Sequence, residues 1–119
     1  MRPVLLTALL LLFTAADRNR VPAATPVGPA VTCVNLAQIR ETRVRDDRTI
    51  DFLMTGRRIY RVTLPQGCPA LGFERRFAYA TSIGQLCSTD IITVLHDTGS
   101  PRGASCGLSK FQPVTLAAR

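Results

Sequence analysis

An all-β fold is what the apolar pattern of this 119-residue chain predicts: a small antiparallel barrel or curled sheet of about five to six short strands, behind an N-terminal signal helix. Three features carry that expectation. Apolar residues recur mostly with the two-residue period of half-buried strands, not the 3.6-residue period of helices. No segment shows a long amphipathic helical stripe. All four cysteines, Cys33, Cys68, Cys87 and Cys106, fall beyond residue 32, where an even count in a small exported chain implies two disulfides.

The chain divides into a signal peptide (1–16), a Pro/Ala-rich flexible linker (17–32), a stapled β domain (33–114) and a short tail (115–119). Met1-Arg2-Pro3 and the 13-residue apolar run Val4–Ala16 match a signal peptide, with Thr14-Ala15-Ala16 as the small residues before cleavage. A buried helix is the competing reading, set aside because the run gives way abruptly to Asp17-Arg18-Asn19-Arg20. An uncleaved anchor is disfavoured because 13 residues make only about 20 Å of helix against a hydrocarbon core of about 30 Å. The expected destination is therefore export, to the periplasm or beyond the cell, with no membrane span in the mature chain.

Within the domain, Asn35–Ile39 predicts a single helical turn, followed by a strand over Arg40–Val44. Asp46-Asp47-Arg48 is a turn leading to a second strand, in which Ile50, Phe52 and Met54 alternate with Thr49, Asp51, Leu53 and Thr55. Gly56-Arg57-Arg58 connects to a third strand carrying Tyr60, Val62 and Leu64 on one face. An odd-length connection keeps both apolar sets together and pairs Met54 with Tyr60, Phe52 with Val62 and Ile50 with Leu64. Pro65–Pro69 breaks the chain. Phe73–Thr81 is the next strand, with Phe73, Phe77 and Tyr79 on one side. The β-branched run Ile91–Leu95 is expected to be the most central strand. Residues 96–104 form a polar loop, and Ser105–Phe111 returns as the last strand, stopped by Pro113. The aromatics fall mostly on inward positions and are expected in the core.

Sequence alone leaves all three cysteine pairings open. Zinc is disfavoured because consecutive cysteines lie 35, 19 and 19 positions apart, with no C-x2-C pair. Loop-closure entropy assigns about 3 kcal/mol to Cys68–Cys87, 19 positions apart, and about 4.5 kcal/mol to Cys33–Cys106. That combination, a local clasp plus a link from the domain's start to its last strand, is the expected pairing.

Cys33-Val-Asn-Leu-Ala-Gln-Ile, then Val44-Arg-Asp-Asp-Arg-Thr-Ile, Ile59-Tyr-Arg-Val-Thr-Leu-Pro-Gln-Gly-Cys-Pro-Ala-Leu, Leu86-Cys-Ser-Thr-Asp-Ile-Ile-Thr-Val and Ala104-Ser-Cys-Gly-Leu-Ser-Lys-Phe resemble a family of small exported four-cysteine proteins of Gram-negative bacteria with no assigned activity. The resemblance spans about Cys33–Phe111 and implies an envelope or secreted location and a β-rich fold. It brings no catalytic residues.

Lys plus Arg number 15 against 8 Asp plus Glu, for a net charge of +7, and the basic charge is uneven along the chain. Seven arginines lie between Arg40 and Arg61, and Arg75-Arg76 follow, whereas 77–101 carry no Lys or Arg. Arg57, Arg58 and Arg61 cluster at one hairpin end and point outward by parity. Their planar guanidinium forks suit phosphates or carboxylates of an anionic envelope component or an acidic protein surface. The plainer origin is codon composition, since arginine outnumbers lysine 14 to 1. No nucleic-acid signature accompanies the patch, so nucleic acid is disfavoured as a partner. A metal site over Asp90, His96 and Asp97 is disfavoured because Asp90 and His96 sit at opposite ends of one strand. Asp46-Asp47 is a structural turn rather than an acid–base pair. No catalytic residue, cofactor or metal is expected. The favoured reading is a non-enzymatic binding or structural module; the alternative is a small hydrolase or hydrolase inhibitor acting through the 96–104 loop.

Overall fold

A computed structural model describes residues 21–81, 83–99 and 101–117, so the expected signal peptide lies outside the described residues. The described chain is mostly strand. Ten strands appear in order: β1 (Ala24–Pro26), β2 (Cys33–Asn35), β3 (Ile39–Val44), β4 (Thr49–Met54), β5 (Ile59–Thr63), β6 (Phe77–Tyr79), β7 (Gln85–Cys87), β8 (Ile91–Leu95), β9 (Arg102–Gly107) and β10 (Gln112–Leu116). One helical turn, α1 (Leu71–Glu74), precedes β6. The strands form three antiparallel sheets, ordered β1-β10-β5-β4-β3, β2-β7 and β6-β8-β9. They do not close into a barrel, so the strand count and the closure both differ from the sequence expectation. No helix among the described residues is long and apolar enough to cross a membrane.

The β3–β4–β5 meander follows the predicted chemistry. Asp46 Oδ1 accepts from the Arg48 amide at 2.8 Å, and the Arg45 amide donates to the Thr49 carbonyl at 2.8 Å, closing the first hairpin. The predicted helical turn appears as a 3-10 turn at Leu36–Gln38, with Asn35 Oδ1 accepting from the Ala37 amide. Between β4 and β5 the parity holds but the register moves by two. Phe52 pairs with Tyr60 and Ile50 with Val62, because the Met54 amide bonds the Arg58 carbonyl and closes a loop over Thr55–Arg57 in which Gly56 and Arg57 are left-handed. Gly56 opens that loop because its φ of 76° lies in the left-handed region, which glycine enters without a Cβ penalty.

A single buried cluster draws on all three sheets: Ile50, Phe52 and Met54 of β4, Val62 of β5, Val34 of β2, Leu86 of β7, and Ile92 and Val94 of β8, with Leu64, Leu71 and Phe111 from connecting segments. Phe52 meets Phe111 edge-on at 5.4 Å between ring centroids and Phe77 at 6.4 Å. Phe73 departs from the expectation: it sits on α1 rather than on a strand and is 84% exposed. β8 is the middle strand of its sheet, but Ile91 is exposed while Ile92 and Val94 are buried, so one face is wet. The strand buried on both faces is β4.

The disulfides are Cys33–Cys87 and Cys68–Cys106, not the expected Cys68–Cys87 and Cys33–Cys106. Register decides this. β2 and β7 place Cys33 directly opposite Cys87, with Cα atoms 4.0 Å apart, while buried Cys68 lies 5.9 Å from Cys106 of β9. Loop entropy does not discriminate, because separations of 54 and 38 give about 4 kcal/mol each. The sum is within about half a kcal/mol of the one for the expected pairs.

Two boundaries also move. Residues expected in a flexible linker join the sheet: β1 pairs with β10, and Val31 bridges Phe111. The Val27 amide bonds the Pro113 carbonyl and the Ala117 amide bonds the Ala23 carbonyl, so Ala24 and Pro26 turn their nitrogens toward the free edge, where proline's missing donor costs nothing. Pro113 does not stop a strand; it lies inside β10, which carries Thr115 and Leu116 of the expected tail. Its donorless nitrogen falls beyond the last paired residue of β1. The 96–104 loop is shorter than expected, since β9 begins at Arg102 and the His96 amide bonds the Pro101 carbonyl.

Candidate functional site: an arginine belt

The three arginines singled out by sequence separate into two kinds. Arg61 faces away from the core, as parity requires, but it is not free. Its Nε and Nη2 grip Asp51 Oδ1 and Oδ2 at 2.7 and 2.9 Å, and Arg45 Nε adds a third bond to Oδ2 at 2.9 Å. Asp51 is 0% exposed, and the two arginine side chains are only 14% and 18% exposed. With two arginines closed over it, Asp51 is buried although it lies on the polar side of β4. Arg61 therefore leaves the candidate surface and belongs to a buried, charge-assisted network.

Arg57 and Arg58 remain exposed at the β4–β5 turn. Arg58 donates to Gln38 Oε1 at 3.1 Å, which fixes it toward the start of β3. Together with Arg40, Glu41, Leu53, Met54 and Ile59 they line an open hollow of about 310 Å³. Arg40 occupies the register shift between Ile39 and Glu41, so the extra residue displaces it from regular pairing. Arg40 also lines a second hollow of about 420 Å³, with Arg75 and Arg76 on its far side. Arg75 in turn lines a third, of about 600 Å³, with Arg45 and Arg48. The shared residues Arg40 and Arg75 join the three hollows into one belt of guanidinium groups.

The carboxylates along the belt have other duties. Glu41 accepts from Arg43 Nε at 2.8 Å. That hydrogen bond, reinforced by the charge of Arg43, holds the Glu41 carboxyl below its ordinary pKa and raises that of Arg43. Asp97 pairs with Arg76. Asp46 and Asp47 are structural, as the sequence suggested: Asp47 Oδ1 accepts from the Gly72 amide at 2.7 Å, docking the turn onto α1. A Cβ at residue 72 would press against Asp46 and Asp47 at 3.0–3.1 Å, so glycine lets the two segments meet. Among the described residues, Arg40, Arg57, Arg58 and Arg75 have no carboxylate partner.

Backbone strain accompanies this surface. Only Arg57, Ala70 and Arg75 among the described non-glycine residues have positive φ, at 63°, 69° and 60°. The left-handed region costs such residues about 1–2 kcal/mol each. Two of the three are belt arginines, and Ala70 and Arg75 bracket α1. Arg75-Arg76 stand out in the sequence by charge alone, and Arg40 carries no such mark. Its only local signal is a break in strand parity, which one extra residue produces and which composition does not reveal.

Two ends of the 96–104 segment meet at His96 and Gly103. His96 Nδ1 lies 2.7 Å from Glu74 Oε2, and the ring packs where a Cβ on Gly103 would collide with it. Asp90 sits at the other end of β8 and accepts from the Cys87 amide at 2.7 Å. Among the described residues no three His, Cys, Asp or Glu side chains gather as metal ligands, and all four cysteines are in disulfides. The belt presents planar, permanently charged guanidinium forks along an exposed surface, a geometry that suits phosphate or carboxylate groups. No family model, curated protein or solved structure matches the chain.

Proposed function

We propose that the protein is a small exported, non-enzymatic binding module that holds polyanionic partners on its arginine belt, in the periplasm or outside the cell. The single observation that carries this reading is the continuity of the belt from Arg57 and Arg58 through Arg40 to Arg75, with all four of these arginines lacking carboxylate partners among the described residues. Two disulfides accord with an oxidising compartment. Membership of the exported four-cysteine family that the sequence resembles belongs to the same reading.

Left-handed backbone at Arg57 and Arg75 supports it, because strain of this kind gathers where a side chain must be aimed. The guanidinium groups would meet phosphates or carboxylates two bonds at a time. The combined variant Arg40→Gln, Arg57→Gln, Arg75→Gln tests this on immobilised heparin. It should elute at clearly lower salt than the unaltered protein, with an unchanged circular dichroism spectrum. Elution of both at the same salt concentration would remove the belt from any binding role.

A further inference from the structure

The second hollow of the belt has a property the other two lack: its two walls are free edges of different sheets. β3 is the last strand of the five-stranded sheet and β6 is an outer strand of the three-stranded one. The lining comprises Ile39–Thr42 on one side and Arg75–Phe77 with Tyr79 on the other, and Leu95 also contributes.

The alternation of ladder bonds fixes which backbone groups are unspent. The Arg45–Thr49 bond makes Arg43–Asp51 and Glu41–Leu53 the hydrogen-bonded pairs of β3 and β4, so Thr42 turns its amide and carbonyl outward. On the other wall the Leu95 amide bonds the Arg76 carbonyl, which makes Ala78–Thr93 a bonded pair. Phe77 and Tyr79 therefore turn their backbone groups away from β8, toward the hollow's side. Free edges of this kind pair readily with another extended chain unless something blunts them.

We infer that this groove receives an extended acidic peptide, which pairs in strand form with the free backbone groups of β3 and β6 and lays its carboxylates against Arg40 and Arg75. Charge selects the occupant. Glu41 is engaged by Arg43 and Asp97 by Arg76, so the groove is left with a net positive lining. Shape selects it too. Ile39, Phe77, Tyr79 and Leu95 give apolar positions between the arginines, and a strand presents side chains of alternating type to such a wall. The volume of about 420 Å³ is of ligand-site size. Sheet pairing at this point would bring a strand to the gap where the sheets fail to close.

The inference rests on the polyanion reading, and its test separates the two. The probe is a capped hexapeptide of alternating glutamate and valine, compared with the same peptide N-methylated at alternate residues, which keeps charge and removes backbone donors. Amide NMR with isothermal titration should show the plain peptide shifting Thr42, Phe77 and Tyr79, and the methylated one binding about tenfold more weakly or worse, the equivalent of about 1.4 kcal/mol. Equal binding of the two peptides overturns strand pairing. Absence of peptide binding while heparin is still retained overturns the groove and leaves the belt intact. Cosedimentation with anionic phosphatidylglycerol vesicles in the absence of peptide binding also overturns it, in favour of a lipid surface. Loss of heparin retention as well would remove both readings together.

Discussion

Arg61 and Arg40 are the same residue type in one sheet, and they sit in opposite electrostatic regimes. Arg61, with Arg45, closes over a carboxylate that water cannot reach; Arg40, like Arg57 and Arg75, is exposed with no carboxylate partner among the described residues. The first group is tied to Asp51, and the second stays exposed. The difference lies in where the carboxylates are: Asp51 projects between β3 and β5, whereas Glu41 and Asp97 are drawn off by Arg43 and Arg76. Net charge alone treats all of these arginines alike.

The sharpest way to break this contrast is Asp51→Asn. It leaves two guanidinium groups half-buried without their anion and should lower stability by about 3–5 kcal/mol. Urea unfolding would show it, while the triple belt variant should stay within about 0.5 kcal/mol of the parent. A belt variant that unfolds as easily as Asp51→Asn would erase the distinction. Arg75→Gly should move the other way: removing a Cβ from the left-handed region stabilises by about 0.5–1 kcal/mol, while heparin retention falls. Thermal melting and salt elution of the same sample check both, and a simultaneous loss of stability would mean that Arg75 is structural. The smallest effect concerns Glu41, exposed yet paired. Its folded pKa is lowered, so the pair contributes stability above the unfolded carboxylate value and loses it as pH falls through the folded one. In Arg43→Gln, the NMR titration midpoint of Glu41 should rise toward its ordinary value; an unmoved midpoint would mean the pair is not formed in solution.

Much of the central meander was legible in the residues. Asp46-Asp47-Arg48 announced its turn, Ile50, Phe52 and Met54 their inward face, and the odd loop parity kept Val62 and Leu64 beside them. What was not legible depends on events that alternation does not encode. The β4–β5 register slipped by two because Gly56 and Arg57 are both left-handed. Asp51 is buried, paired with Arg45 and Arg61, on the polar side of the β4 alternation. The number of bridges followed from cysteine count, but their partners followed from strand register, which opposes Cys33 to Cys87. At the candidate site, Arg57 and Arg58 are exposed and Arg61 is bound to Asp51. Arg40 and Arg75 emerged only through a bulge and a one-turn helix.

The sulfur linkages interleave along the chain: Cys33 reaches past Cys68 to Cys87, and Cys68 reaches past Cys87 to Cys106. A single proteolytic nick anywhere between the outermost two therefore severs the backbone without releasing a fragment. Between Cys68 and Cys87 the cut pieces stay joined twice over. In surroundings rich in peptidases, the molecule would persist as one covalent body after its first injuries. Such damage shows only when a reducing gel splits a band that runs intact without reductant.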